Sequence, residues 1–240
     1  MAFFLINMIS ALIIIFIFIL IMVFDYKNNK VQTKKIRLIT LTGILVALVV
    51  SLNALGSIAL DSFLPPKIFE IKIGNFILVL IGLFCGGLLG FIGGITNDVV
   101  GLLFMKNGTP CLFFTLTSIL WCVMPYYLIV WFCKIYYTKK VLYHYYMPLA
   151  YGLTLLLVSG TDPIILTIMY NLKWSFWVLY GLRIIKYPFF LLLNSALIIT
   201  CYAQLSKSLQ LEHQFQKKYF AVNTEMLEYN NPKADKIIKE

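Results

Sequence analysis

Long apolar runs, separated by short polar or basic segments, cover most of the chain. The first run, 2–24, consists almost entirely of large apolar residues. At about 1.5 Å per helical residue, it is long enough to cross a hydrocarbon core of about 30 Å. The later runs are 36–60, 73–84, 88–104, 112–132, 148–170 and 176–202. This pattern predicts an all-α, polytopic integral membrane protein.

A ladder of glycines at every fourth position joins the third and fourth runs. Its members are Gly82, Gly86, Gly90 and Gly94. One helix through both runs would greatly exceed the bilayer thickness at about 1.5 Å per residue. The sequence therefore predicts two helices joined by a tight turn at 85–89. Small residues at this spacing also let helix backbones approach closely.

The sixth run is interrupted by Ser-Gly-Thr-Asp-Pro at 159–163. Proline removes a backbone hydrogen bond from a helix, and neighbouring hydroxyls can bond the freed group. We therefore predict a broken helix at this point. Its aspartate, Asp162, becomes a candidate site residue.

The first run has two interpretations. A cleaved signal peptide is disfavoured because the start lacks positive charge, the run is too long, and no small-x-small cleavage site follows it. We prefer a retained helix, which divides the chain into four segments. These are an extra N-terminal transmembrane helix at 1–25, a basic cytoplasmic linker at 26–36, a six-helix membrane domain at 37–203 and a polar cytoplasmic tail at 204–240.

Composition agrees with a multi-pass protein of the cell membrane. Of the 240 residues, 61% are hydrophobic and 12% are charged, and a water-soluble domain could not cover so much apolar material with polar surface. The formal net charge of +10 comes mainly from Lys and Arg in short segments between the apolar runs and in the tail. Segments rich in Lys and Arg stay cytoplasmic, so these residues indicate which segments lie on that side. The N-terminus is then outside, and nucleic acid is not expected as a partner.

The residue types argue against several kinds of chemistry. Five cysteines are scattered without a CxxC pair, and there are two histidines. The cysteines are expected to pack as small apolar residues, and we predict no metal site and no cofactor. Because no Ser-His or Cys-His set accompanies the buried acids, an enzyme is not expected. The chain also has no P-loop with which to hydrolyse ATP.

Three ionisable residues are predicted at one depth in the membrane. Counted from their helix ends, Asp98, Asp162 and Arg183 lie roughly 9 to 13 Å below the outer surface. Lys186 follows Arg183 by one turn and extends the positive side of this layer. Charges inside a membrane usually line pathways or sites. The alternative is an internal salt bridge between one aspartate and Arg183.

Polar and aromatic side chains are predicted around this layer. Asn97, Thr115 and Thr117 are candidate hydrogen-bonding groups, and Phe114 is a candidate stacking surface, although core packing is the alternative for an aromatic ring. A carboxylate can accept two hydrogen bonds from an aminopyrimidine edge, while Arg and Lys can hold carboxylates. The set predicts a site for a small planar ligand with donors and anionic groups.

The second run carries a face of small residues at intervals of four, formed by Gly43, Ala47 and Ser51. Small residues so spaced make a flat helix face that suits another helix. Spacing alone leaves two interpretations open, a partner protein and ordinary packing within this chain.

From about Lys35 to Tyr202, the order and spacing of several motifs resemble the substrate-binding S component of an energy-coupling factor (ECF) vitamin transporter, most closely the folate-specific group. That group has an FGxxxG turn, a GxxxD stretch, an xGP loop followed by FTLSA, and an RLIK with a downstream proline. Here these read Phe84 to Gly87 with Gly90, Gly94 to Asp98, Asn107 to Pro110 followed by Phe114 to Ser118, and Arg183 to Lys186 with Pro188. Phe113 stands where glycine is usual.

The resemblance implies a six-helix S-component-like core, which the extra N-terminal helix precedes. It implies capture of folate or a related pterin from outside, and delivery with an ECF transmembrane coupling subunit and two ATP-binding cassette ATPases. The implied roles place Asp98 and Asn97 on the heterocycle, Arg183 and Lys186 on anionic groups, and the face of Gly43, Ala47 and Ser51 on the coupling subunit.

Four alternatives are kept. The first is an S component for another vitamin. The second is a stand-alone secondary transporter in which Asp98 or Asp162 carries a proton or ion. A membrane enzyme acting on lipid head groups with Asp98 as base, and a purely structural partner subunit, are the other two.

Overall fold

The computed structural model describes residues 2–27, 36–61, 74–104, 110–136, 140–170 and 176–209. All regular structure in these ranges is helical. The helices are α1 (Ala2–Lys27), α2 (Ile36–Asp61), α3 (Asn75–Cys85), α4 (Gly87–Phe104), α5 (Leu112–Tyr136), α6 (Lys140–Tyr170) and α7 (Phe176–Leu209). Within this part of the chain, five helices, α1, α2, α5, α6 and α7, are long and apolar enough to cross a membrane. The predicted all-α, polytopic membrane fold is confirmed.

Several predicted segments lie outside the described residues. They include most of the basic linker (28–35), the two connections at 62–73 and 105–109, and the tail from 210 onward. The predicted cytoplasmic and outer positions of these segments therefore stay predictions.

The predicted break in the sixth run is wrong. Helix α6 continues through both Pro148 and Pro163, and it begins eight residues before the predicted start. The physical reason is that an unwound segment would leave several backbone groups without partners in an apolar medium, whereas proline in a continuous helix removes one bond. Hydroxyls add bonds around this point, since Thr161 donates to the Leu157 carbonyl at 3.1 Å and Thr167 to the Pro163 carbonyl at 2.7 Å.

Helix α3 lies at the centre of the bundle. It packs against α2, α4, α5 and α7, and every side chain from Ile77 to Cys85 is buried. Both of its ends are tied to α2, because Asn53 Oδ1 accepts from the Gly74 N–H at 3.0 Å and the Cys85 thiol lies 3.7 Å from the Leu38 carbonyl oxygen. Eleven residues give a helix of about 16 Å, shorter than the apolar core of a bilayer.

The glycine ladder explains how α3, α4 and α5 fit together. Gly86 has φ of +86° and separates α3 from α4, which confirms the predicted turn; glycine adopts this left-handed backbone without strain. A Cβ atom on Gly82 would collide with the Cys122 carbonyl oxygen of α5, and one on Gly94 would lie 2.7 Å from Ile119 Cα. The ladder therefore brings both helices into backbone contact with α5, as small residues at helix interfaces do.

Three of the predicted core cysteines pack as expected. Cys85, Cys111 and Cys122 are buried free thiols. Cys122 is fully enclosed at the point where α5 meets Gly82 and Gly90. A small apolar side chain suits this position because it allows the helices to approach closely.

Candidate functional site

Two polar pairs cross the contact between α4 and α5. The Thr115 hydroxyl donates to Asp98 Oδ2 at 2.6 Å, and Asn97 Nδ2 lies 3.5 Å from Ser118 Oγ, at the long limit for a hydrogen bond. Asn97 is 8% exposed and Asp98 is half-buried. We call these four residues the α4–α5 polar pairs. A carboxylate needs such a partner because its desolvation inside a membrane is costly.

Sequence spacing explains why these residues meet. Gly94 contacts Ile119 of α5. Asn97 and Asp98 follow Gly94 by about one turn. Thr115 precedes Ile119 by about one turn, and Ser118 is the residue directly before it. In antiparallel helices, moving along α4 from this contact corresponds to moving back along α5. The close glycine contact therefore sets the distance at which short polar side chains can bond across the interface.

Asp162 lies at nearly the same level as the α4–α5 polar pairs. Ile165 of α6 packs against a cluster of Cys111, Phe113 and Leu116 at the start of α5. On α6, Asp162 precedes Ile165 by three residues. On α5, Thr115 lies between the cluster residues Phe113 and Leu116. At about 1.5 Å per residue, the two acids therefore differ in level by about one helical turn or less.

The backbone of Arg183 lies on the same side of the α6–α7 bonds as Asp162 and within about 9 Å of its level. Helices α6 and α7 are tied together by a buried bond from Asn194 Nδ2 to the Tyr151 hydroxyl at 2.7 Å. Asp162 comes eleven residues after Tyr151, and Arg183 comes eleven residues before Asn194. Because the helices are antiparallel, this bond puts both residues about 16 Å away in the same direction, while the bond between Tyr187 and Gly152 puts Arg183 about 9 Å short of Asp162. The side chain of Arg183 lies outside the described residues, so its salt bridge with an aspartate stays an alternative.

Lateral packing arranges the layer around α5 and α6. Helix α4, with Asp98, packs on α5; α5 packs on α6; and α7, with Arg183 and Lys186, packs on α6 and α3. Lys186 is half-buried. The next residue, Tyr187, donates its hydroxyl to the Gly152 carbonyl at 2.7 Å, which fastens α7 to α6 about 15 Å along α6 from Asp162.

The other predicted ligand residues have assigned neighbours. Thr117 is buried, and its hydroxyl donates to the Phe114 carbonyl of its own helix at 2.9 Å. Phe114 is half-buried and meets Phe113 edge-on, with ring centroids 6.0 Å apart. Ser118, the partner of Asn97, was missed as a candidate although it follows Thr115 at helical spacing, a signal that places both hydroxyls on one face.

The small-residue face of α2 is exposed. Gly43, Ala47 and Ser51 all lie on the outside of the bundle, and a Cβ atom on Gly43 would meet nothing within 4 Å. The Ser51 hydroxyl is satisfied within α2 by the Ala47 carbonyl at 2.8 Å. Among the described residues nothing covers this face, and its role in binding a partner stays a prediction.

Comparisons with known proteins bring no further identification. No protein-family model, curated protein or solved structure matches this chain. Within the described residues, no group of three or more His, Cys, Asp or Glu side chains has the arrangement of a metal site.

We predict that Thr115→Val lowers the thermal stability of the purified protein without preventing folding. Valine keeps the shape of threonine but removes the donor to Asp98, and a hydrogen bond to a charged group contributes about 1.5–3 kcal/mol. The measurement is the unfolding midpoint in detergent. The matched control is Thr96→Val, because the exposed Thr96 hydroxyl donates to the Ile92 carbonyl of its own helix at 2.9 Å and not across a helix interface among the described residues. Equal midpoints for the two variants would contradict the prediction.

Proposed function

We propose that this protein is the substrate-binding subunit of an ECF-type vitamin transporter and that its ligand is folate or a related pterin. The observation that supports this most directly is the bonded Asp98–Thr115 pair, half-buried inside a helical membrane protein. The backbone of Asp162 lies within about one helical turn of its level, and the backbone of Arg183 lies within about 9 Å of the level of Asp162. Acids and bases gathered at one depth suit a site for a ligand that carries both donors and anionic groups.

The chemistry of Asp98 supports recognition of a heterocycle. An ionised carboxylate has about four lone-pair directions, and the bond from Thr115 uses one of them while it orients the group. An aminopyrimidine edge presents two neighbouring donors that a carboxylate can accept together. In this proposal Asn97 assists at the heterocycle, and Phe114 stacks on it.

The positive side of the layer would hold the anionic end of the ligand. Arg183 can bind a carboxylate through two parallel hydrogen bonds, and Lys186 adds a second charge one turn away. Thr117 and Asp162 complete the proposed wall on the α5 and α6 sides. Folate combines an aminopyrimidine ring with carboxylates, which is the combination that these two ends require.

Delivery would depend on partners. We propose that the exposed face of Gly43, Ala47 and Ser51 binds a membrane coupling subunit, which works with two ATP-binding cassette ATPases. A flat face of small residues lets another helix approach within backbone contact. The basic loops and the tail would be cytoplasmic, and the ligand would enter from outside.

Native mass spectrometry of the purified chain tests the proposed function. We expect a ligand of the mass of folate or a related pterin to be retained, or to bind when folate is added to the ligand-free protein. Riboflavin and thiamine serve as matched vitamin controls. Preferential binding of a control vitamin would support the S component for another vitamin, and binding of none of them would contradict the proposal.

A stand-alone secondary transporter is the second candidate, favoured by two half-buried acids, Asp98 and Asp162, at one level. Carboxylates in this setting carry protons or ions in many transporters. Reconstituted vesicles separate the two functions. Uptake driven by a proton gradient without ATPases would favour the secondary transporter, and uptake that requires the coupling subunit, the ATPases and ATP would exclude it.

A further inference from the structure

Helix α1, which lies outside the six-helix core of the resemblance, makes a capping contact to α5. Asn7 Oδ1 accepts a hydrogen bond from the backbone N–H of Leu112 at 2.9 Å. Leu112 is the first residue of α5, and its N–H is one of the donors that a helix cannot satisfy by itself. Asn7 therefore acts as an N-cap of α5, although it belongs to a different helix.

The other end of α1 is also fastened to α5. The Tyr127 hydroxyl donates to Asp25 Oδ1 at 3.3 Å, and the Phe24 ring meets the Tyr127 ring edge-on at 5.1 Å. Asp25 is 5% exposed. The two polar contacts are about 27 Å apart along α1. The contact that comes first along α1 also comes first along α5. Helix α1 therefore lies parallel to α5 over nearly the full membrane thickness.

Helix α1 also packs on the cluster that contains Phe113, the residue that departs from the folate-group pattern. Phe113 is 8% exposed and forms a cluster with Cys111 and Leu116. Apolar side chains of α1 pack against this cluster, namely Ile6, Ile14 and Ile17. Phe113 thus belongs to a cluster that α1 covers, so the two departures from the resemblance, Phe113 and α1, meet in one part of the fold.

We propose that α1 is a permanent part of the ligand-binding unit and that Asn7 is a positioning residue for Thr115. Thr115 lies one turn after Leu112, so the bond from Asn7 holds the turn that presents the Thr115 hydroxyl to Asp98. Without this cap the Leu112 N–H loses its acceptor, so the first turn of α5 is less stable and opens more often. The ligand's identity rests on the proposed function, but the positioning role does not.

The first arm of the test needs no ligand. Hydrogen exchange of the full-length protein is measured on the segment 110–116, in the wild type and in Asn7→Ala, Asn7→Asp and Met8→Ala. We expect faster exchange in Asn7→Ala, and protection close to wild type in Asn7→Asp, which keeps an acceptor. Met8→Ala is the matched control because Met8 is 51% exposed. Unchanged exchange in Asn7→Ala would overturn the proposal.

The second arm is a double-mutant cycle on folate affinity. We expect Asn7→Ala to weaken binding about fivefold to tenfold, in line with the loss of a helix cap, and Asn7→Asp to restore it to within about twofold of wild type. If Asn7 acts through Thr115, then Asn7→Ala adds little in a Thr115→Val background. Fully multiplicative effects of the two substitutions would overturn the positioning role.

The two arms separate this inference from the proposed function. If the wild type binds no vitamin, the proposed function fails while hydrogen exchange still decides whether Asn7 holds the start of α5. If the wild type binds folate and Asn7→Ala binds it equally well, the proposed function stands and the role of α1 in the binding unit is wrong.

Discussion

Gly82→Ala is expected to prevent the accumulation of folded protein. The added Cβ atom would collide with the Cys122 carbonyl oxygen, a backbone atom that cannot rotate away as a flexible side chain would. Helices α3 and α5 would have to separate, although α3 is buried along almost its whole length. Over-packing of a core typically costs about 1–3 kcal/mol, and the rigid backbone contact places this substitution at or above the upper end.

The measurement for Gly82→Ala is the yield of monodisperse protein in mild detergent, with the unfolding midpoint of any folded fraction. Gly43→Ala is the matched control, since it makes the same chemical change on α2 where a Cβ atom meets nothing within 4 Å. We expect the control to fold like the wild type. A wild-type yield and midpoint for Gly82→Ala would show that α3 and α5 do not touch as described.

Arg183→Ala is expected to abolish high-affinity folate binding, by about a hundredfold or more, while the fold survives. The proposed site uses this guanidinium to hold a ligand carboxylate, and truncation of one partner in a desolvated charge pair costs about 2–5 kcal/mol. The position of the Arg183 backbone, on the helix next to Asp162 and within about 9 Å of its level, motivates the assignment. Titration calorimetry of the purified variant gives the affinity, and circular dichroism gives the helix content.

Arg183→Lys is the informative companion to this variant. Lysine keeps the charge but loses the planar fork that binds a carboxylate through two bonds, so we expect intermediate affinity. If Arg183→Ala binds folate as well as the wild type does, Arg183 is not a ligand residue. The proposed site would then have to be rebuilt around the α4–α5 polar pairs alone.

Helix number and helix limits follow from local properties of the sequence. Apolar runs long enough to cross a bilayer form helices because every backbone group must be satisfied within the membrane, and this reasoning predicted α1, α2 and α5 to within a few residues. The turn at Gly86 was predictable for a related reason. Two helices were needed to fit the bilayer, and glycine tolerates the positive φ that joins them.

The residues near Pro163 do not predict the course of α6, because the surroundings of this helix stabilise it. Pro163 was expected to break α6, yet the helix continues. A proline removes one helical hydrogen bond wherever it occurs. Whether the helix breaks depends on the free energy of the unwound segment, which is low only where water or protein can bond its backbone groups. The free energy of the unwound segment depends on its surroundings and cannot be predicted from the five residues 159–163.

The candidate site divides in the same way. A common depth for Asp98, Asp162 and Arg183 could be proposed from the sequence by counting residues from helix ends, because the rise per helical residue is constant, and it stays a prediction. The partners of these residues could not, since they depend on which helices touch and how they are rotated. The bond between Thr115 and Asp98, the exposure of Gly43, and the packing of Phe113 on α1 all arise from contacts between segments far apart in the chain. The sequence thus determined the helical elements, because each must satisfy its own backbone groups, while long-range packing, set by glycine contacts and side-chain shape, determined which polar groups meet.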